Sequence, residues 1–329
     1  MADAAHLTVA VTGPTGTFGL ALLPLLQADE QVARVVGVAR RPFDAGERGW
    51  TKLDYRRGDV RDVETLREAF VGVDVVVHLA FQVMTGDPAL ARAINVEGTL
   101  NAFRAAAEAG VRRFVYASSV AAYGFHRDNP VGITEDWPTR PAGRLLYAQE
   151  KSELEHLLQD EAAAHPGMAL YLLRPPVVLG PDAVGGKDIV PSWLEPVVRG
   201  VGTGLQRVPG LPMLVPDVPF QLIHQDDVAQ ALHLCILGAG PPGAYNIAAD
   251  DVVSLVDVAR EVGLRPVGLP RRPVAAVARV VAQVPFLPSR AQWVETMAHP
   301  AIMDTTKAKA VLGWRPRHTA LESLRDTLG

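Results

Sequence analysis

A serine, a tyrosine and a lysine carry the clearest chemical signal in this chain. Tyr116-Ala117-Ser118-Ser119 ends a β-branched run, and 28 residues beyond Ser119 stands Tyr147-Ala148-Gln149-Glu150-Lys151. On a helix, positions i and i+4 share a face, so the phenol and the ammonium point the same way. A nearby cation favours the phenolate and lowers the tyrosine pKa from its ordinary value of about 10. Such a tyrosine exchanges a proton with an alcohol or carbonyl oxygen, and a serine hydroxyl at a strand end can hydrogen-bond the same oxygen. The combination reads as a metal-free site for hydride transfer, with a nicotinamide as the hydride carrier. With six tyrosines and five lysines in 329 residues, a Tyr-x-x-x-Lys is expected by chance only roughly 0.1 times.

These residues need a scaffold, and the first half of the chain supplies a regular one. Buried strands are expected at Leu7 to Thr12, Val32 to Ala39, Lys52 to Arg57, Val73 to Leu79, Val111 to Ser118 and Gly167 to Arg174. Helices alternate with them: Thr17 to Gln27, Asp62 to Phe70 with Asp62 as cap, Pro88 to Gly110, and Arg144 to His165. Strands and helices in this order imply right-handed crossovers and a parallel sheet covered on both faces, a doubly wound α/β fold of Rossmann type. After Arg174 the pattern loosens into the Pro- and Gly-rich stretch 175–216, where substrate contacts are expected to begin. Phe220 to His224 and a helix Asp226 to Leu237 could return to the sheet. The division expected is 1–174 plus about 217–249 for the dinucleotide-binding domain, and about 175–216 plus a mainly helical 250–329 for the substrate region.

The turn after the first strand is Thr12-Gly13-Pro14-Thr15-Gly16-Thr17-Phe18-Gly19. Glycines at this spacing allow a tight turn and let backbone N–H groups approach a pyrophosphate at the positive end of the next helix. The setting, between the first strand of a βαβ run and a helix, gives the motif its weight. The second strand ends Ala39-Arg40-Arg41 with no carboxylate until Asp44. An acidic residue there would accept the ribose hydroxyls of NAD, whereas arginine accommodates the 2′-phosphate of NADP. NADP(H) is therefore the favoured cofactor and NAD(H) the other.

Together these segments resemble the extended short-chain dehydrogenase/reductases, the superfamily of sugar-nucleotide epimerases, dehydratases and hydroxysteroid or flavonoid-type reductases. The resemblance covers nearly the whole chain. Besides the glycine turn and Tyr147 to Lys151, it rests on Gly58-Asp59-Val60, His78-Leu79-Ala80, Asn95 to Thr99, Ser118 to Gly124, Arg174-Pro175, Ile223 to Ala229 and Leu312 to Pro316. It implies Ser119, Tyr147 and Lys151 as the catalytic triad, Lys151 also bonding the nicotinamide ribose, and it prefers Ser119 to Ser118. It places Thr12, Gly13, Thr15, Gly16, Thr17, Phe18 and Gly19 on the pyrophosphate, Asp59 and Val60 at the adenine, and Leu79 and Ala80 near the ribose. Asn95 would support the nicotinamide side or else serve as a helix-terminal hydrogen-bonder, and Pro175, Val177 and Val178 would meet the carboxamide. Phe81, Gln82 and Tyr123 are the expected substrate contacts, beside Ser119. His224, Asp226 and Asp227 read as the cap of the following helix. The family would also pair helices 88–110 and 144–165 in a homodimer.

Two positions depart from the epimerases of this superfamily. Those enzymes carry an asparagine shortly after Arg-Pro and an arginine before the Phe-Ile-His segment. Here the text is Arg174-Pro175-Pro176-Val177-Val178-Leu179 and Pro219-Phe220-Gln221-Leu222. Losing an amide and a cation removes charge-assisted partners from a diphosphate. Val208, Leu211, Met213 and Leu214 add apolar character, with Lys187 and Arg207 as the cations left to compensate. The expectation is an NADP(H)-dependent reductase of a largely apolar carbonyl compound. The alternative is an NAD-dependent sugar-nucleotide epimerase or dehydratase, and the remote one a dinucleotide sensor, which would typically lack the tyrosine or lysine.

Composition excludes other classes. Lys plus Arg is 32 against 36 Asp plus Glu, a net charge of −4, which argues against a nucleic-acid surface. The single cysteine, Cys235, excludes a disulfide framework and a multi-cysteine zinc site. None of the nine histidines has metal-helix spacing, and no Gly-x-Ser-x-Gly elbow is present. The apolar Arg272 to Val284 is short and flanked by prolines, which favours a packed helix over a membrane contact. A cytoplasmic protein is expected, with a small-molecule substrate and no nucleic-acid or membrane partner.

Overall fold

The computed structural model describes residues 6–83, 87–141, 143, 145–183, 213–269 and 299–328. Lys187, Arg207, Val208, Leu211 and the segment Arg272 to Val284 lie outside them. Seven parallel strands form the central sheet: β1 (Leu7–Thr12), β2 (Val32–Ala39), β3 (Leu53–Arg57), β4 (Val75–His78), β5 (Arg113–Ala117), β6 (Ala169–Arg174) and β7 (Gly243–Asn246). Their order is β7-β6-β5-β4-β1-β2-β3, so the chain reverses direction across the sheet between β1 and β4. That switch point is where open α/β sheets bind ligands, beyond the carboxyl ends of the strands.

Side chains alternate between two apolar layers, as the period of a strand requires. Val9, Val11, Val75 and Val77 pack with α1 (Thr17–Ala28) and the later helix Gln225–Leu237, while Ala10, Val36, Val76 and Phe114 pack on the opposite face. α2 (Val63–Ala69) covers that second face beside a long helical stretch, Pro88–Arg92 (α3), a π-helical turn Ala93–Glu97, and Gly98–Glu108 (α4). Asp62 caps α2 through the N–H groups of Glu64 and Thr65, as its position before the apolar run implied. α5 (Leu146–Ala164) lies next to α4 and presents the tyrosine and lysine.

The return to the sheet differs from the expectation. Leu222–His224 pairs with Val177–Leu179 in a separate two-stranded parallel sheet, and the following helix α6 (Gln225–Leu237) packs against α1. The seventh strand is β7, beside β6. It has four residues, begins at a glycine with φ of 136° and follows two prolines, so it lacks the β-branched run that marks a strand. The described part of 250–328 is helical in the larger part of its regular structure, as expected, and includes a π-helical turn at Ala308–Leu312. It holds helices α7 (Leu255–Glu261) and α8 (Ala320–Leu328), but also short strands at Val253–Ser254, Pro266–Leu269 and Ile302–Met303. Trp314, fully buried, ties this segment down by donating its indole N–H to the Asp227 carbonyl at 2.9 Å.

Candidate active site

The glycine turn sits at the carboxyl end of β1. Gly13 has φ of +72°, and a Cβ there would lie 2.8 Å from the Ala80 backbone nitrogen, so only glycine lets the turn pass this close to the end of β4. Gly16 begins α1 with no side-chain cap and no acidic residue in the first turn, a helix terminus suited to an anion. These features fit a dinucleotide pyrophosphate, which Gly13, Thr15, Gly16, Thr17 and Phe18 would hold. The Thr17 hydroxyl donates to the Asp182 carbonyl at 3.1 Å, joining the turn to the segment after Val177–Leu179. Two of the expected contacts also have a role in the scaffold. A Cβ on Gly19 would overlap the Pro14 backbone, so that glycine allows close packing within the turn. Thr12 is buried, its hydroxyl paired with His78 Nδ1 at 2.8 Å, and His78 Nε2 pairs with Thr99 at 3.0 Å. Burial and the charge of Lys151 push the His78 pKa down to about 3, so it bridges β1, β4 and α4 as a neutral ring.

At the adenosine end, Arg40 and Arg41 are exposed just beyond β2. Their carbonyls are held by Arg57 and by the Tyr55 hydroxyl, and among the described residues neither guanidinium has an ion-pair partner. Asp59 pairs with Arg61 at 2.7 Å, and that hydrogen bond holds its carboxyl below the usual range. Val60 is buried against Gly98, so its side chain serves the core and its backbone alone is left for an adenine.

Ser119, Tyr147 and Lys151 come together at the ends of β5 and α5. Ser119 follows β5, is almost fully buried, accepts from the Ala121 N–H at 3.1 Å and hydrogen-bonds the Tyr147 phenol. The Tyr147 pKa is raised, because burial outweighs the Ser119 bond. This corrects the expectation that the lysine would lower it. The Lys151 ammonium is turned toward the strand, donating to the Tyr116 hydroxyl at 3.0 Å and the Ala117 carbonyl at 2.8 Å. Burial lowers the Lys151 pKa to about 7, against the opposing pull of Glu155 and Glu150. Phe81 closes this corner: its ring centroid lies 3.7 Å from the lysine nitrogen and 5.6 Å from the Tyr147 ring, edge to face.

Asn95 acts through its neighbours. From the π-helical turn it accepts from the Gln82 N–H at 2.7 Å and donates to the Gln82 carbonyl at 3.0 Å and to Glu150 at 2.8 Å. It thereby fixes Phe81 and Gln82 against α5, and such turns recur at functional sites. Pro175 is buried, its carbonyl accepting from the Val120 N–H at 2.9 Å. Val177 and Val178 are half-buried beside it, and Leu79 packs on the core beneath Ala80.

Tyr123 is not a substrate contact. It is fully buried, donating to Asn246 at 2.8 Å and accepting from Arg174 at 2.6 Å. Arg174 in turn pairs with Glu155, which also accepts from Ser118 at 2.5 Å. This network underlies the triad and joins β5, α5, β6 and β7. Tyr116, Glu155 and Arg174 were missed as site-supporting residues, because a single tyrosine or ion pair has no distinctive spacing. Val177 and Phe220, the apolar replacements, both pack on the cluster of Leu179, Leu222, Ala249 and Val253. Their character is accounted for by this packing as well as by any ligand. Among the described residues no helix is long and apolar enough to cross a membrane.

A glycine turn at the sheet's switch point, with a serine, tyrosine and lysine assembled beyond it, defines an extended short-chain dehydrogenase/reductase. The chain belongs to the NAD dependent epimerase/dehydratase family, whose sequence profile matches residues 9–248. It is 31% identical over 334 residues to a UDP-glucose 4-epimerase of Corynebacterium glutamicum, covering 95% of this chain and 92% of that one. It is also 31% identical over 216 residues to sterol demethylase protein B of Methylococcus capsulatus, covering 64% and 62%. The structure of a Thermus thermophilus UDP-glucose 4-epimerase complexed with NAD superposes with a TM-score of 0.69 at 24% identity, covering 98% of both chains.

Proposed function

We propose that this enzyme is an NAD-dependent epimerase or dehydratase of a sugar nucleotide, using Tyr147 as the acid/base and Ser119 and Lys151 beside it. The observation that carries the proposal is the Ser119–Tyr147 hydrogen bond next to the buried Lys151, in a chain alike from end to end to a UDP-glucose 4-epimerase. When bound, the nicotinamide would accept a hydride from a carbinol carbon and return it later. Tyr147 takes the hydroxyl proton of the same carbon, and Ser119 holds the oxygen as it becomes a carbonyl. Burial raises the tyrosine pKa and lowers that of the lysine. Both shifts favour the neutral phenol and amine over the phenolate–ammonium pair, so Tyr147 rests as the protonated phenol, poised to donate.

A second reading, an NADP(H)-dependent reductase of an apolar carbonyl compound, rests on different residues. Arg40 and Arg41 are free of ion pairs among the described residues and would meet a 2′-phosphate. Val177 and Phe220 supply no polar partner for a diphosphate. The resemblance to sterol demethylase protein B supports this reading. The catalytic tyrosine and lysine, both present, speak against a sensor. We also propose a homodimer through α3–α4 and α5, whose outer faces carry the Arg92–Glu153 and Arg104–Glu161 pairs.

The deciding experiment is to denature purified protein and identify the released dinucleotide by mass spectrometry. Near-stoichiometric NAD supports the epimerase or dehydratase reading. Protein free of nucleotide that takes up NADPH in preference to NADH supports the reductase.

A further inference from the structure

Strand Leu222–His224 ends at the N-terminus of α6, and His224 caps that helix by accepting from the Asp226 N–H at 3.2 Å. His224 is 3% exposed, yet its Nε2 has no hydrogen-bond partner. A buried orphan of this kind calls for a ligand. Nε2 lies 3.5 Å from an Asp326 carboxylate oxygen on α8, and the His318 ring lies 4.0 Å from the His224 ring. One ligand atom from each of the three residues falls within 4.8 Å of the other two.

We propose that His224, His318 and Asp326 bind one divalent transition-metal ion of the zinc type. His318 is prepared for this. Its Nδ1 sits 3.2 Å from the fully buried Asp227 carboxylate, which can only accept, so Nδ1 keeps the ring proton and Nε2 presents its lone pair. A carboxylate behind a histidine ligand orients the ring and raises its basicity. For His224 the ring proton moves to Nδ1 as Nε2 coordinates, and the Asp226 carboxylate, 3.6 Å from Nδ1, receives it as a hydrogen bond in place of the helix-cap contact. Metal–nitrogen and metal–oxygen bonds of about 2.1 Å need the three atoms to close slightly. His318 and Asp326 lie at the surface with room to do so. Two imidazoles and one carboxylate select zinc, cobalt or nickel over magnesium or calcium.

Such an ion would staple α8 to the start of α6. Thr327 on α8 accepts from the Gly180 N–H at 2.8 Å, and Asp182 two residues on accepts from Thr17 in the glycine turn. The staple therefore sits one step from the segment that meets the cofactor turn.

The test is isothermal titration of EDTA-treated full-length protein with Zn2+ in a non-chelating buffer, repeated with His318→Ala and Asp326→Asn. Both substitutions lie at the surface and spare the His224 helix cap. One ion per chain is expected, with affinity weakened at least about tenfold in each variant and no competition from excess Mg2+. Binding that is equal in wild type and both variants would place the ion elsewhere and overturn the site. Wild type without stoichiometric binding would overturn it too. The readout is independent of catalysis, so its failure leaves the proposed reaction standing.

Discussion

Lys151 is 3% exposed, and burial moves its pKa from 10.5 to about 7. Between these values the unfolded chain carries a proton on this lysine that the native state does not. Native stability therefore rises with pH across the window and is lost as pH falls from about 10.5 to about 7. At about 1.4 kcal/mol per tenfold, holding the ammonium inside costs roughly 5 kcal/mol below pH 7 and roughly 2 kcal/mol at pH 9. Lys151→Met keeps the volume and removes the charge. It gives up two hydrogen bonds, to Tyr116 and Ala117, worth about 1–3 kcal/mol together and nearly independent of pH. Urea unfolding of nucleotide-stripped wild type and variant at pH 6 and pH 9 isolates the titration. The variant should gain roughly 2–3 kcal/mol relative to wild type on going from pH 9 to pH 6. A stability difference that stays constant to within about 0.5 kcal/mol between the two pH values would show that Lys151 is not held at a depressed pKa, and would refute the reasoning.

Arg174→Met leaves Glu155 as an unpaired buried carboxylate and should cost about 3–5 kcal/mol in chemical denaturation; a loss below about 1 kcal/mol would mean that the network is not cooperative. Gly13→Ala places a Cβ 2.8 Å from the Ala80 nitrogen at φ of +72°, so dinucleotide affinity measured by calorimetry should fall at least about tenfold, with strain of about 1–2 kcal/mol at the turn. Arg40→Ala with Arg41→Ala should weaken NADPH binding more than NADH binding if these side chains meet a 2′-phosphate, whereas equal effects would remove them from that role. Light scattering should give the mass of a dimer, and a strict monomer would exclude pairing through α3–α4 and α5.

β1, β2 and β4 were the most legible strands of the first half because each is a short Val-rich run. Leu7–Thr12 and Val32–Ala39 fall on the residues the pattern marked. β7 was not legible, since Gly243-Ala244-Tyr245-Asn246 owes its place to pairing with β6 rather than to local preference. The triad showed itself through helical spacing. What surrounds it did not: the orientation of the Lys151 ammonium toward Tyr116, the Asn95 clamp on Gln82 and the burial of Tyr123 all depend on contacts between elements far apart in sequence. The Lys151 charge was expected to act on Tyr147, but desolvation, which no spacing reveals, decides the direction of both pKa values. The packing of Gly19 on Pro14 and the bond from Thr12 to His78 were hidden in the same way, because a motif does not show how its residues shape the turn.

The most direct test of the central claim is turnover by Tyr147→Phe. Wild type and variant, each loaded with dinucleotide, are mixed with UDP-glucose and with a panel of apolar ketones and aldehydes, following the near-ultraviolet absorbance of reduced nicotinamide and separating the products, epimers included, by chromatography before mass spectrometry. Loss of at least about a hundredfold in turnover, with dinucleotide affinity and thermal stability retained, is the result expected of a proton-transfer group. Turnover undiminished in the variant would contradict the assignment of Tyr147 as the acid/base.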